Sequence, residues 1–249
     1  MAAAEHTLRR GLTLLRALAG TEHGRTVSEL AALTGIERSQ VSRTMSTLID
    51  LGAVVRDPGT RAFALSWSIY ALAASAGDQD LLAAARPVID RLAAVTGAPS
   101  HLSVLDGVDV ITVASGFPPF FTERRTAIGE RSPAWCTSSG RTLLADLPDA
   151  VLRTLLAGID LTAAGPSAPR TLDDLLARIA ATRGVGPVTV VDEYAADFMG
   201  VAAPVHRADG TIVGSLNISG PTWRLGGAVD TLMAAVGGAA RELSATLSG

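Results

Sequence analysis

Apolar residues at the start of the chain recur every three or four positions. In HTLRRGLTLLRALAG, Leu8, Leu12, Leu15 and Leu18 fall on one helical stripe that Gly20 ends. TVSELAALTG predicts a short second helix. Ser28 fits its N-cap, Leu30 and Leu33 turn inward beside Ala31 and Ala32, and Thr34-Gly35 closes it. ERSQVSRTMSTLID predicts a third helix, with Val41, Met45, Leu48 and Ile49 on one face and a stop at Gly52. The period then changes. Two β-prone runs, 53–56 and 61–65, flank Asp57-Pro58-Gly59-Thr60, where Pro followed by Gly is turn chemistry. Two helices joined through a tight Gly turn and followed by a hairpin have the sequence form of a winged helix-turn-helix.

The pattern behind this unit is different. Residues 67–76 read as a linker helix, broken at Gly77-Asp78. A longer helix spans 80–96, with Pro87 expected to kink it or mark a start. HLSVLDGVDVITVAS reads as two strands around the turn pair Asp106-Gly107. Short helices at 138–146, 149–157 and 172–183, strands at 200–206 and 211–219, and a final helix over 227–247 follow. The fold class is α+β with an antiparallel sheet, divided into 1–66, a linker at 67–79, and 80–249.

Composition narrows the function. Hydrophobic residues make up 48% of the 249, enough for a sizeable core. The apolar runs are too short for a membrane span, and MAAAEHTLRR lacks the apolar core of a signal peptide, so a cytoplasmic protein with no membrane role is expected. One cysteine, Cys136, excludes an internal disulfide and a multi-cysteine metal site. The net charge of −3 argues against a general polyanion binder. Its distribution matters more: eight Arg against six Asp or Glu in residues 1–75, thirteen against eighteen in the rest, and no lysine anywhere. A mildly basic front and an acidic rear suit two modules with different partners.

The third helix carries the first candidate chemistry. Arg38, Ser39, Gln40, Ser42 and Arg43 form the exposed set at its N-terminal half. Arg pairs with guanine, Gln with adenine, and Ser with base edges or phosphates. The N-terminal part of the second helix of a helix-turn-helix meets the bases, which favours double-stranded DNA over a merely solvated face. Arg25 and Ser28 at the second helix, and Arg56 and Arg61 beside the wing tip, are candidate backbone contacts. Ser46 and Asp50 lie too far along the helix and should stay solvated. Two weakly basic modules acting together, hence a dimer, would supply the affinity.

With these residues in place, the chain resembles the IclR family of bacterial transcriptional regulators. The likeness runs through TVSELAALTGIERSQVSRTMSTLIDLGAVVRD, then GERSPAWCTSSGRTLLAD and VVDEYAADFMGVAAPVHRADGTIVGSLNISGP. It implies a winged helix-turn-helix joined by a linker helix to a C-terminal α/β effector-binding domain with a GAF-like antiparallel sheet. It further implies dimers or tetramers on promoter DNA, catabolic target genes that the protein represses or activates, with repression the first reading, and a small organic effector such as a carboxylate or aromatic acid. No cofactor or metal is implied. Carried over, the effector site marks Thr137, Ser138, Ser139, Gly200, Asn217 and Ser219, with Glu193 nearby.

The residues themselves add reasons. Ser138-Ser139-Gly140 opens a helix, where hydroxyls and free N–H groups suit an anion. Asn217 and Ser219, two apart on a strand, share a face. Trp135, Phe120 and Phe121 are candidate apolar walls, while Arg131 and Arg141 read as solvated surface sooner than as carboxylate anchors. The chain departs from the family in Asp197 where glycine is common, Arg141 in place of lysine, and Gly200 in place of a larger residue, which should leave room for a bulkier ligand. The rivals are an enzymatic or protein-binding C-terminal domain. No G-x-S-x-G or H-E-x-x-H occurs, a lone Cys136 reads as a small buried hydrophobe, and His101 reads as a satisfied structural histidine.

Overall fold

The structure, a computed structural model, describes residues 2–21, 23–119, 121, 127–162 and 164–248. It divides into two compact units, residues 1–79 and 80–249. The first contains α1 (Ala2–Leu18), α2 (Val27–Thr34), α3 (Arg38–Asp50), the antiparallel pair β1 (Val54–Arg56) and β2 (Phe63–Leu65), and α4 (Trp67–Ala74). Its small core is built on Leu14, Leu18, Leu30, Val41, Met45, Val54 and Phe63. Leu8 and Leu12 are exposed, so the inward stripe of α1 is the one through Leu14 and Leu18. Leu33 and Ile49, expected inside, are also exposed.

Thr26, not Ser28, caps α2. Its extended backbone places the hydroxyl under the Glu29 amide, and the Glu29 carboxylate accepts from the Thr26 N–H in return, a reciprocal capping box. Ser28 already lies inside the first turn. Gly35 adopts φ 70°, the left-handed conformation that ends α2 with its N–H on the Ala31 carbonyl. At the wing tip the Asp57 carboxylate accepts from the N–H groups of Gly59 and Thr60 and from the Thr60 hydroxyl, and Arg61 adopts a left-handed φ of 61°.

The second unit is a six-stranded antiparallel sheet between two helical layers. Its order is β5 (Arg131–Pro133), β4 (Asp109–Gly116), β3 (Ser100–Asp106), β8 (Ile212–Pro221), β7 (Phe198–His206) and β6 (Val188–Val191). The two edge strands were not anticipated, being too short to show a period. Helices α5 (Gln79–Thr96) and α10 (Val229–Thr246) cover one face, packing on Leu102, Val201, Ala203, Val205, Leu216 and Ile218. Pro87 stands inside α5 without ending it. A second core joins α6 (Ser138–Leu144), α7 (Asp149–Leu155) and α8 (Leu172–Ala180), and a short α9 (Thr222–Leu225) follows β8. Among the described residues no helix is long and apolar enough to cross a membrane.

The alternation of strands decides where the site lies. Residues turned away from the α5–α10 core include His101, Ser103, Ser215, Asn217 and Ser219, so the sheet is apolar on one face and polar at the centre of the other.

Candidate functional site

The first candidate site is the exposed face of α3. Val41 and Met45 are buried, which turns Arg38, Ser39, Ser42 and Arg43 to solvent and leaves Gln40 half-buried. Not all of these groups are free. Glu37 caps α3 by accepting from the Ser39 N–H at 3.1 Å, and its carboxylate also takes the Ser39 hydroxyl. Those bonds hold its carboxyl below the usual range, so a negative charge sits at the head of the helix. Arg38 donates to the Ser28 hydroxyl at 2.7 Å, tying α3 to α2. Ser42 and Arg43 project without a hydrogen-bonding side-chain partner among the described residues.

The remaining three residues expected at DNA divide similarly. Arg25 is half-buried, donating from Nε to the Ala17 carbonyl and exchanging backbone hydrogen bonds with Phe63, a structural tie between α1 and the wing. Arg56 lies over the Phe63 ring, 5.0 Å from its centroid, and donates to the Arg61 carbonyl. The Arg61 side chain is exposed.

The second candidate site is a cavity of about 180 Å³ on the polar side of the sheet. A short 3-10 turn, Ala134–Cys136, leads into α6. Thr137 caps that helix, accepting from the Gly140 N–H at 3.2 Å. Gly140 is required there, because a Cβ would fall inside the Ala134 backbone. This close approach seats Thr137, Ser138 and Ser139 against the cavity. Gly200, Asn217 and Ser219 face them from β7 and β8. A Cβ on Gly200 would come within 2.6 Å of the Ser138 hydroxyl, so the space expected above Gly200 for a bulkier ligand is already filled.

Two residues expected at the effector site do not line the cavity. Trp135 is buried in the core under α6, with Ala134 and Cys136. Glu193 lies away from the cavity lining, its carboxylate buried between the guanidinium groups of Arg141 and Arg178. Arg141, expected on the surface, is buried because it packs against that carboxylate. Phe121 stacks on Phe117, and Phe120 lies outside the described residues. Arg131 reaches the rim but pairs with Asp106 at 2.6 Å and Asp109 at 3.2 Å.

The structure adds residues that the pattern did not mark. Tyr194 and Phe198 form an aromatic pair at the cavity, their centroids 5.7 Å apart. Ser103 and Thr112 supply hydroxyls, and His101 lines the cavity where a purely structural histidine was expected. The strand alternation through His101, Ser103, Asn217 and Ser219 was the available signal. Burial pushes the Cys136 thiol up to about 12, helped by the Glu193 carboxylate, so it stays protonated and unsuited to nucleophilic attack.

A winged helix-turn-helix followed by an α/β domain that encloses a polar cavity defines a class of DNA-binding transcriptional regulators. The profile of the IclR helix-turn-helix domain matches residues 7–58, and that of the bacterial transcriptional regulator IclR C-terminal domain matches 73–245. The chain belongs to the IclR family. It is 31% identical over 218 residues to the Pca regulon regulatory protein of Pseudomonas putida, covering 86% of this chain and 73% of that one. It is 29% identical to the glycerol operon regulatory protein of Streptomyces coelicolor, covering 97% and 96%. Among solved structures, an IclR homolog of Microbacterium hydrocarbonoxydans complexed with 4-hydroxybenzoate superposes with a TM-score of 0.79 at 21% identity, covering 97% and 98%.

Proposed function

We propose that this regulator is a ligand-responsive repressor of catabolic genes, with the cavity as its effector site. The observation that carries the reading is a cavity of about 180 Å³ floored by hydroxyl, amide and imidazole groups, in a chain that also carries a helix-turn-helix. A cavity of about 150 Å³ is known to hold benzene, so this one suits a ligand of single-ring size. Apolar contact comes from Tyr194 and Phe198, and hydrogen bonds come from Ser138, Ser139 and Ser219, with the Asn217 amide beside them. Single-ring carboxylates such as 4-hydroxybenzoate, the ligand in the Microbacterium homolog, are the first effectors to try.

At the DNA, Arg43, Ser42 and Gln40 read base edges, while Arg38 and Arg61 meet the backbone. The regulator acts as a dimer or tetramer. Leu8 and Leu12 of α1 and Trp67, Tyr70 and Leu72 of α4 are exposed apolar side chains that self-association would cover. Half-sites roughly 34 Å apart fit one orientation of the two α3 helices. An effector that prefers one arrangement of the dimer shifts the population and so the affinity for promoter DNA.

A mobility-shift assay on the DNA upstream of the protein's own gene tests this, run with and without single-ring carboxylates. A shift that such a ligand weakens is expected. Binding that no ligand alters would end the effector reading, and no shift under any condition would end the DNA reading. Sedimentation of Trp67→Ala/Leu72→Ala checks the association, with a move toward monomer expected.

A further inference from the structure

Several polar groups around the cavity already have a protein partner. Asn217 donates to the Ser103 hydroxyl at 3.1 Å, Thr137 caps α6, and Arg131 is paired with two aspartates. His101 is different. Its Nδ1 lies 3.1 Å from the Ser115 hydroxyl, and its ring stands edge-on to Phe117 at 80°, with centroids 6.4 Å apart. The β3–β4 register slips by one residue after Leu102, pairing Ser103 with Thr112 and His101 with Ser115. That bulge lets Thr112 and Ser115 serve one face of the sheet. The ring is therefore held on two sides, while its Nε2 has no hydrogen-bond partner among the described residues. On the neighbouring strand Asn217 is directly in register with His101, so amide and imidazole stand side by side on the cavity floor.

We propose that His101 is a further specificity-determining residue of this cavity, its Nε2 contacting an uncharged hydroxyl on a ring-sized ligand. This rests on the cavity being the effector site. Burial pulls the His101 pKa down to about 4, so the ring is neutral near pH 7. In either tautomer Nε2 is then one donor or one acceptor, and a hydroxyl can answer both. A carboxylate at the same place would be buried without a cation. The charged residues lining the cavity among those described, Glu130 and Arg131, are exposed.

The test titrates the full-length protein with 4-hydroxybenzoate and with benzoate, which lacks only the hydroxyl. The wild type should bind 4-hydroxybenzoate about ten-fold more tightly, the worth of one hydrogen bond. His101→Phe should erase that preference, and His101→Gln, whose amide reaches the same region, should restore part of it. In nitrogen-15 spectra of the wild type, the His101 Nε2 resonance should move with 4-hydroxybenzoate and stay put with benzoate. That spectrum decides the matter should His101→Phe fail to fold. Equal binding of both compounds by the wild type, or a preference that survives in His101→Phe, overturns the assignment while the cavity keeps its role. Binding of neither compound at millimolar concentration overturns both the single-ring effector and the His101 contact.

Discussion

The α3 surface and the cavity use similar side chains under opposite conditions. On α3, Arg38, Ser39, Ser42 and Arg43 stand exposed on a helix that Val41 and Met45 anchor, and every buried polar residue among those described lies in the second unit. Around the cavity, Ser103, Ser138, Ser139 and Asn217 are buried, and behind it the side chains of Arg141 and Glu193 are buried against each other. An exposed polar residue can be lost and the fold kept. A buried one is part of the fold, because an unpaired polar group in the interior is costly. Substitutions should therefore separate along this line, affecting DNA affinity in the first unit and stability in the second.

The largest effect is expected at Glu193. Glu193→Ala strands the buried guanidinium of Arg141, whose Nε already lacks a partner. A loss of about 3–5 kcal/mol is expected in the urea transition of the second unit. Adding Arg141→Met should recover most of it, and a double variant no better than the single would show that the pair does more than neutralise itself. Next comes pH. An unfolded His101 takes up a proton near pH 6.5, whereas the folded one does so only at about 4. Stability should thus be fully present above 6.5 and fall as pH drops toward 4, by about 3 kcal/mol from this group. Melting temperatures across that range should decline less steeply in His101→Gln.

The surface changes are smaller and of another kind. Arg43→Ala should cost about 1–3 kcal/mol in specific DNA binding with no change in melting temperature. A variant that melts earlier would contradict the surface role. Thr26→Ala removes one half of the capping box, and about 1 kcal/mol of stability should go with it. Ser46→Ala, on the exposed face farther along α3, should stay within about 0.5 kcal/mol in both stability and DNA affinity.

The helix-turn-helix was legible because its signals are local. Gly35 and Gly52 end their helices, Val41 and Met45 set the face of α3, and Pro58-Gly59 turns the wing. The differences there are small. Thr26, two residues before Ser28, is the cap, and Leu14 and Leu18 rather than Leu8 and Leu12 make the inward stripe, because the helix offers two neighbouring faces and only packing selects one. In the second unit Asn217 and Ser219 share the cavity face that strand alternation requires. Trp135 and Glu193 do not line it, since a residue next to a site in sequence can point behind it.

What the sequence determined by itself was the run of helices and the hairpin of the first unit, the longer strands and helices of the second, and the face of α3 that meets solvent, all properties of residues within a turn or two of each other. The tertiary structure decided which of those exposed groups are spent on neighbours, as Arg38 is on Ser28. It also decided how His101, Ser138, Gly200 and Asn217 come to enclose one cavity, and that Arg141 and Glu193 pair behind it. Those contacts join strands and helices far apart in the chain, and only the packed sheet sets their distances.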